Sequence, residues 1–326
     1  GTASVTTPAT ALTGVGSATL TAAVGTLASA NYAFTTFTDG ALTITKAPLS
    51  VTADAKTKVY GAANPALTAT ITGFANGETL ATSGVTGAAS VTTTATALTG
   101  VGSATLTAAV GNLVSANYAF TFTNGVLTIS QASAAVALGN LTQTYNGSPR
   151  PVSVTTSPTG LSVAVTYDGN AVAPVNAGSY AVLARVNDGG NYFGTVVGAL
   201  TVAKAAQTLA FTAPAPTTLG KPVTLAATAS SGLPVTFAVT GPAALSGSTL
   251  TFSAAGTATV TATQAGDGNT LPATATVTVT AGKAEQTIAF TAPPATTLGK
   301  PVTLAATASS GLPVTFAVTG PAALSG

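Results

Sequence analysis

The sequence predicts an all-β chain of tandem small antiparallel β-sandwich domains that are arranged end to end. Three observations support this prediction: internal repetition, strand-like alternation of polar and apolar residues, and frequent turn residues. The segment that begins at Ser4 recurs from Ser90, 86 residues later, and the segment that begins at Gln207 recurs from Gln286, 79 residues later. Repeats of this length suit compact domains, because solenoid coils repeat about every 20 to 45 residues.

The ends of these copies divide the chain into five repeats, which we number in chain order. Residues 1–46 form the C-terminal part of a repeat, 47–131 a complete repeat, 132–204 a repeat of a second type, 205–285 a repeat of a third type, and 286–326 the N-terminal half of a further copy of that third type. The junctions are short and carry isolated charges, such as Lys46 and Lys204. Long Gly and Ser tracts are missing there, so we expect neighbouring repeats to be held stiffly in line.

Strands are predicted wherever apolar and polar residues alternate with a period of two. Over 103–110 this alternation places Leu106 and Val110 on a buried face and Thr105 and Thr107 on the solvent face. The same pattern occurs over 180–186, 235–240, 257–263 and 273–280. Turn residues separate the strands, as at Asn146-Gly147, Asp168-Gly169, Asp188-Gly189-Gly190 and Gly241-Pro242. No segment has the apolar spacing of a helix, and the abundant alanine lies among β-branched residues that favour strands.

Composition excludes most catalytic and metal chemistry. The chain contains no Cys, His, Met or Trp, so disulfides, thiolate or imidazole ligands and Cys- or His-based catalysis are excluded. Charged residues make up only 5% and are scattered singly, which does not fit the clustered Lys and Arg of a nucleic-acid-binding surface. No apolar run approaches the 18 residues of a membrane-spanning helix. We therefore expect no enzymatic activity, no cofactor, no bound metal, no nucleic-acid partner and no transmembrane segment in this piece of chain.

The acidic residues leave two alternatives open. Asp188 and Asp267 each stand beside Gly and Asn, and they mark the two loops that could hold a calcium ion. A Lys–Asn isopeptide cross-link is the second alternative; it needs a buried Lys, an Asn and a carboxylate, whereas most Lys residues lie at junctions or beside turns. The acidic residues are spread one or two per repeat, which predicts no catalytic carboxylate pair: Asp39, Asp54, Glu78, Asp168, Asp188, Asp267 and Glu285.

Three tyrosines stand at turn motifs. Tyr60 and Tyr145 each come just before a glycine, which predicts rings packed over turns that need positive φ. An aromatic binding platform is the alternative for these two side chains. The sequence Gly178-Ser179-Tyr180 resembles a tyrosine corner, in which the phenol hydroxyl bonds back to the main chain.

Several motifs resemble known repeat families. The second repeat carries Tyr60-Gly61, Asn64-Pro65, Leu67, Gly73-Phe74, Gly77-Glu78, Asn117-Tyr118 and Leu127-Thr128-Ile129. This pattern resembles the MBG repeats, a mostly-β, glycine-rich family that occurs in tandem in very large bacterial surface and adhesin-like proteins. The first repeat matches only the second half of the pattern. The third repeat resembles a sister MBG type through Tyr145-Asn146-Gly147-Ser148-Pro149, Tyr167-Asp168-Gly169, Asn176-Ala177-Gly178-Ser179-Tyr180 and Gly190-Asn191-Tyr192. The fourth repeat is similar to bacterial immunoglobulin-like repeats through Gly220-Lys221-Pro222-Val223, Ser231-Gly232-Leu233-Pro234-Val235 and Gly256-Thr257-Ala258.

These resemblances imply an extracellular, bacterial and structural setting without enzymatic activity or cofactors. We expect a non-enzymatic stalk or spacer of a large adhesin-like cell-surface protein, whose partners are the neighbouring repeats of the same chain. The alternative is a self-associating subunit of an extracellular fibre or sheath, which binds copies of itself through β-edge or strand-donation contacts. It is favoured by solvent faces of Thr, Ser and Ala that lack edge-protecting charge. A glycan-binding module would need exposed aromatic residues, whereas this sequence has no Trp and only 6% aromatic residues. An ice-binding surface would need a flat Thr array, and the Thr-x-Thr runs do not form one from coil to coil.

Overall fold

The computed structural model describes residues 1–325, and these form strands and loops without a helix. The all-β prediction is confirmed. Two compact units are present: the first contains Gly1–Leu141, Pro151–Ala173 and Ala181–Ala199, and the second contains Thr142–Arg150, Pro174–Tyr180 and the described residues from Leu200 onward. The third repeat therefore contributes segments to both units. Residues 1–325 contain no helix that could cross a membrane.

The first repeat forms one antiparallel sheet of three strands in the order β1-β2-β3. Its middle strand, β2, is the long one, and its alternating Ala, Thr and Leu residues match the period of a half-buried strand. The strands are β1 (Ser4–Thr6), β2 (Gly16–Ala23) and β3 (Gly40–Ile44).

The second repeat is a sandwich of two sheets, ordered β5-β10-β8-β7 and β6-β4-β9. Two apolar clusters fill it, one centred on Leu106 and Leu127 and the other on Leu49 and Val51. All four side chains are fully buried, and each contributes about 2 kcal/mol relative to an exposed position. The strands are β4 (Ala47–Ala53), β5 (Lys56–Val59), β6 (Ala69–Thr72), β7 (Ser90–Thr92), β8 (Gly102–Ala109), β9 (Tyr118–Thr123) and β10 (Gly125–Ser130).

Parallel pairs join the beginning of the second repeat to its end. Strand β4 pairs in parallel with β9, and β5 pairs in parallel with β10. The remaining pairs of this repeat are antiparallel. The first strands of the repeat are therefore tied to its last strands, which brings the start of the repeat close to the loop that precedes β9.

The third repeat contains eight strands, in one four-stranded sheet ordered β13-β18-β16-β15 and the two pairs β11-β17 and β12-β14. β12 pairs with β14 and β15 with β16 in antiparallel fashion, whereas β11 pairs with β17 and β13 with β18 in parallel. The strands are β11 (Ala132–Ser133), β12 (Ala135–Gly139), β13 (Thr142–Thr144), β14 (Ser153–Ser157), β15 (Val163–Tyr167), β16 (Gly178–Val186), β17 (Tyr192–Phe193) and β18 (Thr195–Ala203).

The fourth repeat packs sheet β20-β27-β26-β23 against sheet β21-β25-β24, with β19 and β22 as a separate pair. Along β26 the buried residues Ala258 and Val260 alternate with Thr259 and Thr261, so a slip of one residue would bury the threonines. The strands are β19 (Leu209–Phe211), β20 (Thr217–Thr218), β21 (Val223–Thr224), β22 (Ala227–Ala229), β23 (Thr236–Thr240), β24 (Ala243–Ser246), β25 (Thr249–Phe252), β26 (Gly256–Gln264) and β27 (Ala273–Gly282). In the fifth repeat, β28 (Ile288–Phe290) pairs with β29 (Ala306–Ala308).

The strands predicted from alternation are confirmed as β8, β16, β23, β26 and β27. One predicted side-chain position is wrong. Val110, which we expected on the buried face with Leu106, is 46% exposed. The reason is that β8 ends at Ala109 and the chain then turns at Gly111, whose φ is 55°.

Candidate inter-repeat junctions

Each of the first three junctions between successive repeats is built on a short loop of the following repeat. In the second repeat this loop precedes β9, and the side chain of Ser115 holds its shape. The Ser115 Oγ accepts hydrogen bonds from the main-chain nitrogens of Asn117, at 3.3 Å, and Tyr118, at 3.1 Å. A side-chain acceptor at this position therefore closes the turn before the strand begins.

Aspartates take the place of this serine in the next two loops. Asp188 accepts hydrogen bonds from the main-chain nitrogens of Gly190 and Tyr192 in the third repeat. Asp267 accepts bonds from the Thr270 hydroxyl, at 2.8 Å, and from the nitrogens of Asn269 and Thr270, at 2.8 and 2.7 Å. The Thr270 hydroxyl and then the two N–H groups hold the pKa of the Asp267 carboxyl below its ordinary value of 3.8.

These two loops are the ones that the sequence marked as candidate calcium sites. Both carboxylates accept hydrogen bonds from N–H or O–H donors of their own loops and so close the turns of these loops. Within residues 1–325, no three His, Cys, Asp or Glu side chains come together as a metal site.

An asparagine bridges each junction through its side chain. The asparagine Oδ1 accepts a hydrogen bond from a main-chain N–H of the preceding repeat. The donors share one position, since each directly precedes the long strand β2, β8 or β16 of its repeat. The three bonds are Val15 N to Asn117 at 3.1 Å, Val101 N to Asn191 at 3.1 Å, and Ala177 N to Asn269 at 2.8 Å.

The same asparagine also holds the start of its own repeat. Its main-chain oxygen accepts a hydrogen bond from the nitrogen of the first residue of that repeat. These bonds are Ala47 N to Asn117 O at 3.0 Å, Ala132 N to Asn191 O at 3.0 Å, and Ala205 N to Asn269 O at 2.8 Å. One residue therefore connects both sides of the junction.

The last residue of the preceding repeat adds a second bond across each junction. Its side-chain nitrogen donates to a main-chain oxygen in the loop that carries the asparagine. The bonds are Lys46 Nζ to Ser115 O at 2.9 Å, Gln131 Nε2 to Gly190 O at 2.9 Å, and Lys204 Nζ to Asp267 O at 2.6 Å. The first two junctions lie within the first compact unit and the third lies within the second.

Glycine leaves room for two of the bridging side chains. A Cβ atom at Gly14 would lie 3.2 Å from the Oδ1 of Asn117, and one at Gly100 would lie 3.3 Å from the Oδ1 of Asn191. Both distances are tighter than most Cβ contacts, so alanine at either position would press on the bridge. These glycines matter because of this close approach.

The tyrosines have structural roles. Gly61 and Gly147 adopt φ angles of 83° and 81°, as the predicted turns require. The ring of Tyr60 packs edge-on against Tyr192 of the third repeat, with centroids 5.4 Å apart, so it contributes to the second junction. Half-buried Tyr145 donates its main-chain N–H to Ala203 O at 2.8 Å.

The predicted tyrosine corner is present. The hydroxyl of Tyr180 donates to the main-chain oxygen of Asn176 at 2.9 Å. A Cβ atom at Gly178 would lie 3.2 Å from this hydroxyl, so the glycine accommodates the tyrosine side chain. The corner is adjacent to Ala177, which donates to Asn269 across the third junction.

Four further carboxylates accept hydrogen bonds from their own chain. Glu78 accepts from the Tyr118 hydroxyl at 2.6 Å, and this bond raises the pKa of Tyr118. Hydroxyl donors, Thr68 and then Thr70, lower the pKa of the Asp54 carboxyl. Asp39 and Asp168 accept from main-chain nitrogens. These acidic side chains thus close turns and join strands.

One lysine is buried, as an isopeptide cross-link would require. Lys58 Nζ donates to the main-chain oxygens of Ala62 and Thr96, and Asn64 Nδ2 donates to Ala95 O at 2.6 Å. In the described residues, neither side chain forms a hydrogen bond with a carboxylate. The lysine and the asparagine therefore stabilise a neighbouring loop through its carbonyl groups.

Two segments of the chain match family models. Residues 49–128 match the MBG domain of the YGX type, and residues 134–206 match a second model described as MBG domain. The comparison with curated proteins gave no match.

Three solved structures that match this chain share little sequence identity with it. The Drosophila N-cadherin EC1-3 structure is 8% identical, with 56% of this chain and 77% of that chain covered and a TM-score of 0.21. The protocadherin gammaB7 EC3-6 cis-dimer structure is 11% identical, with 78% and 82% covered and a TM-score of 0.24. The N-terminal eight Ig domains of Down Syndrome Cell Adhesion Molecule are 14% identical, with 92% and 49% covered and a TM-score of 0.21. Scores at this level carry no argument about function.

Proposed function

We propose that this chain, which carries two MBG domains in tandem, is a non-enzymatic spacer in a large bacterial cell-surface protein of the adhesin-like kind. MBG domains occur in surface proteins, which supports an extracellular location. The observation that carries the proposal is the asparagine bridge, because it recurs at three successive junctions. A spacer has to keep each repeat fixed on its neighbour, and these contacts do that.

The junction contacts are strong enough to matter for stiffness. All three junctions share one bond to the asparagine side chain and one bond from the Lys or Gln side chain, and the first and third each add one further side-chain bond. A net contribution of about 1 kcal/mol per bond gives about 2 kcal/mol per junction, which favours the closed form by about thirtyfold. The second junction adds the edge-on contact of Tyr60 with Tyr192.

Small-angle scattering with sedimentation velocity over a concentration series tests the proposal on the full chain. Three complete repeats in line would span about 110 Å, from strands of about ten residues at about 3.3 Å each plus their loops. The full chain adds residues 1–46 and 286–326 to these repeats, so as a rod it has a radius of gyration of at least roughly 32 Å, whereas a compact globule of 326 residues has about 20 Å. A monomer with the larger value at every concentration is expected. A concentration-independent value near 20 Å would contradict the spacer function.

A second candidate function, self-assembly into a fibre, is supported by one edge strand. In the described sheet, β23 pairs with β26 on one side only, and its five residues carry no charge. Edge strands of this kind can pair with another chain. Growth of the sedimentation coefficient with concentration would favour this function over the monomeric spacer, and an edge charge such as Ala238→Lys would then abolish that growth.

A further inference from the structure

In each of the two recurring bonds of a junction, one of the two partners is a main-chain atom. The N–H donors belong to Val15, Val101 and Ala177, whose side chains take no part in the bond. The carbonyl acceptors belong to a serine, a glycine and an aspartate: Ser115, Gly190 and Asp267. The asparagine and the terminal Lys or Gln are the side chains that recur at all three junctions; the first junction adds Asn76 Nδ2 to Ala11 O at 2.7 Å and the third adds Asn269 Nδ2 to Asn176 Oδ1 at 3.2 Å.

The repeats that these junctions join are of different types. The second junction connects the repeat matched over 49–128 with the repeat matched over 134–206, and these match two different MBG models. The third junction connects the latter with the fourth repeat, which lies almost entirely beyond residue 206. The asparagine and its N–H donor nevertheless occupy the same positions, and the carbonyl acceptor of the terminal Lys or Gln lies one or two residues before the asparagine. These contacts therefore do not depend on the type of either repeat.

We infer that the junction is a general coupling surface whose partner is any repeat with a free main-chain N–H before its long strand and a Lys or Gln at its end. The following repeat supplies the asparagine loop. Apart from the terminal Lys or Gln and the residue before the donor, which is Gly14, Gly100 or Asn176, these recurring bonds use main-chain atoms of the partner. Repeats that keep these positions can therefore be exchanged or removed without loss of the junction. This inference rests on the proposed spacer function and states how one chain can combine several repeat types.

The first repeat contains a matched control for this coupling. Ser29 Oγ accepts bonds from the nitrogens of Asn31 and Tyr32, both at 3.2 Å, which reproduces the turn of Ser115 and Asn117. In the described part of the chain, the Asn31 side chain makes no hydrogen bond. Asn31→Ala therefore removes the same residue from the same loop without removing a junction bond.

Deletion of the third repeat tests the inference. Residues 1–131 are fused directly to 205–326, so that Gln131 precedes Ala205 and the N–H of Val101 faces the Asn269 loop. Amide hydrogen exchange measured by NMR should show Val101 as protected as in the parent chain. Asn269→Ala in this fusion should accelerate Val101 exchange about fivefold, for a bond worth about 1 kcal/mol. Asn31→Ala should leave the Val101 rate unchanged.

The inference is overturned if Val101 in the fusion exchanges as fast as in the Asn191→Ala variant of the parent while Leu106 and Val260 keep their protection. If the fourth repeat fails to fold in the fusion, Gln131→Lys in the full chain decides the question. Protection of Val101 should then persist, because a lysine can reach the same carbonyl, and a fivefold loss would overturn the inference. Either of these two results would overturn the inference alone. The proposed spacer function would still hold if the parent chain has the small-angle scattering of a rod.

Discussion

Replacement of Asn191 by alanine should open the second junction at one defined bond. The substitution removes the Oδ1 that accepts the N–H of Val101 at 3.1 Å. The main-chain oxygen of residue 191 still accepts from Ala132, and Gln131 still donates to Gly190. Asp188 still closes the loop through the nitrogens of Gly190 and Tyr192, so the loop should keep its shape.

The size of the effect follows from the exposure of the donor. Val101 is 42% exposed, so its freed N–H can bind water and does not remain buried without a partner. The cost is therefore the net value of one hydrogen bond, about 1 kcal/mol, and not the larger penalty of an unsatisfied buried group. This amount corresponds to about a fivefold rise in the opening constant of the junction.

Amide hydrogen exchange of the full chain, resolved by NMR, measures this opening directly. In Asn191→Ala the Val101 amide should exchange about fivefold faster than in the parent. The amides of Val15 and Ala177 belong to the other two junctions, so they serve as controls in the same molecule and should keep their rates. An unchanged Val101 rate, or equal acceleration of all three amides, would refute the reasoning.

Three other substitutions or conditions test separate parts of the account. Gly100→Ala should press on the Asn191 bridge and accelerate the same amide, but it should have no further effect once Asn191 is alanine; additive effects by hydrogen exchange would exclude this coupling. Because the folded-state pKa of Asp267 is lowered, the ionised carboxylate stabilises the fold above the ordinary pKa of 3.8, and this stabilisation is lost as pH falls through the lower folded pKa. An acid titration followed by NMR should therefore show the third junction opening in that lower pH range. Asp267→Asn should remove this pH dependence. Tyr180→Phe should lower the free energy of unfolding by about 1 kcal/mol in urea, since it removes the bond to Asn176, and an unchanged midpoint would exclude a stabilising corner.

Much of the fold could be predicted because strand periodicity is a local property of the sequence. The alternation of Thr with Ala and Val fixed the buried face of β26, and the positive φ of Gly61 and Gly147 agrees with the predicted turns. The end of β8 could not be predicted in this way. The alternation continues to Val110, but the strand stops one residue earlier, where the chain enters the turn at Gly111.

The junctions could be predicted only in part. The sequence indicated Asn191 through its motif with Gly190 and Tyr192, and it indicated Lys46 and Lys204 as isolated charges. The sequence did not predict which residues these side chains bind. Asn191 and Val101, for example, are 90 residues apart, and the donor is a main-chain N–H. A main-chain partner leaves no residue type in the sequence that could mark it.

Small-angle scattering of the parent chain beside the triple variant Asn117→Ala, Asn191→Ala, Asn269→Ala tests the central claim most directly. If the asparagine bridges fix the junctions, the parent should have a radius of gyration of at least roughly 32 Å, and the variant a shorter maximum dimension and a broader distance distribution. Protection of core amides such as Leu106 and Val260 shows that the repeats remain folded. Superimposable scattering curves from the two folded proteins would contradict the account.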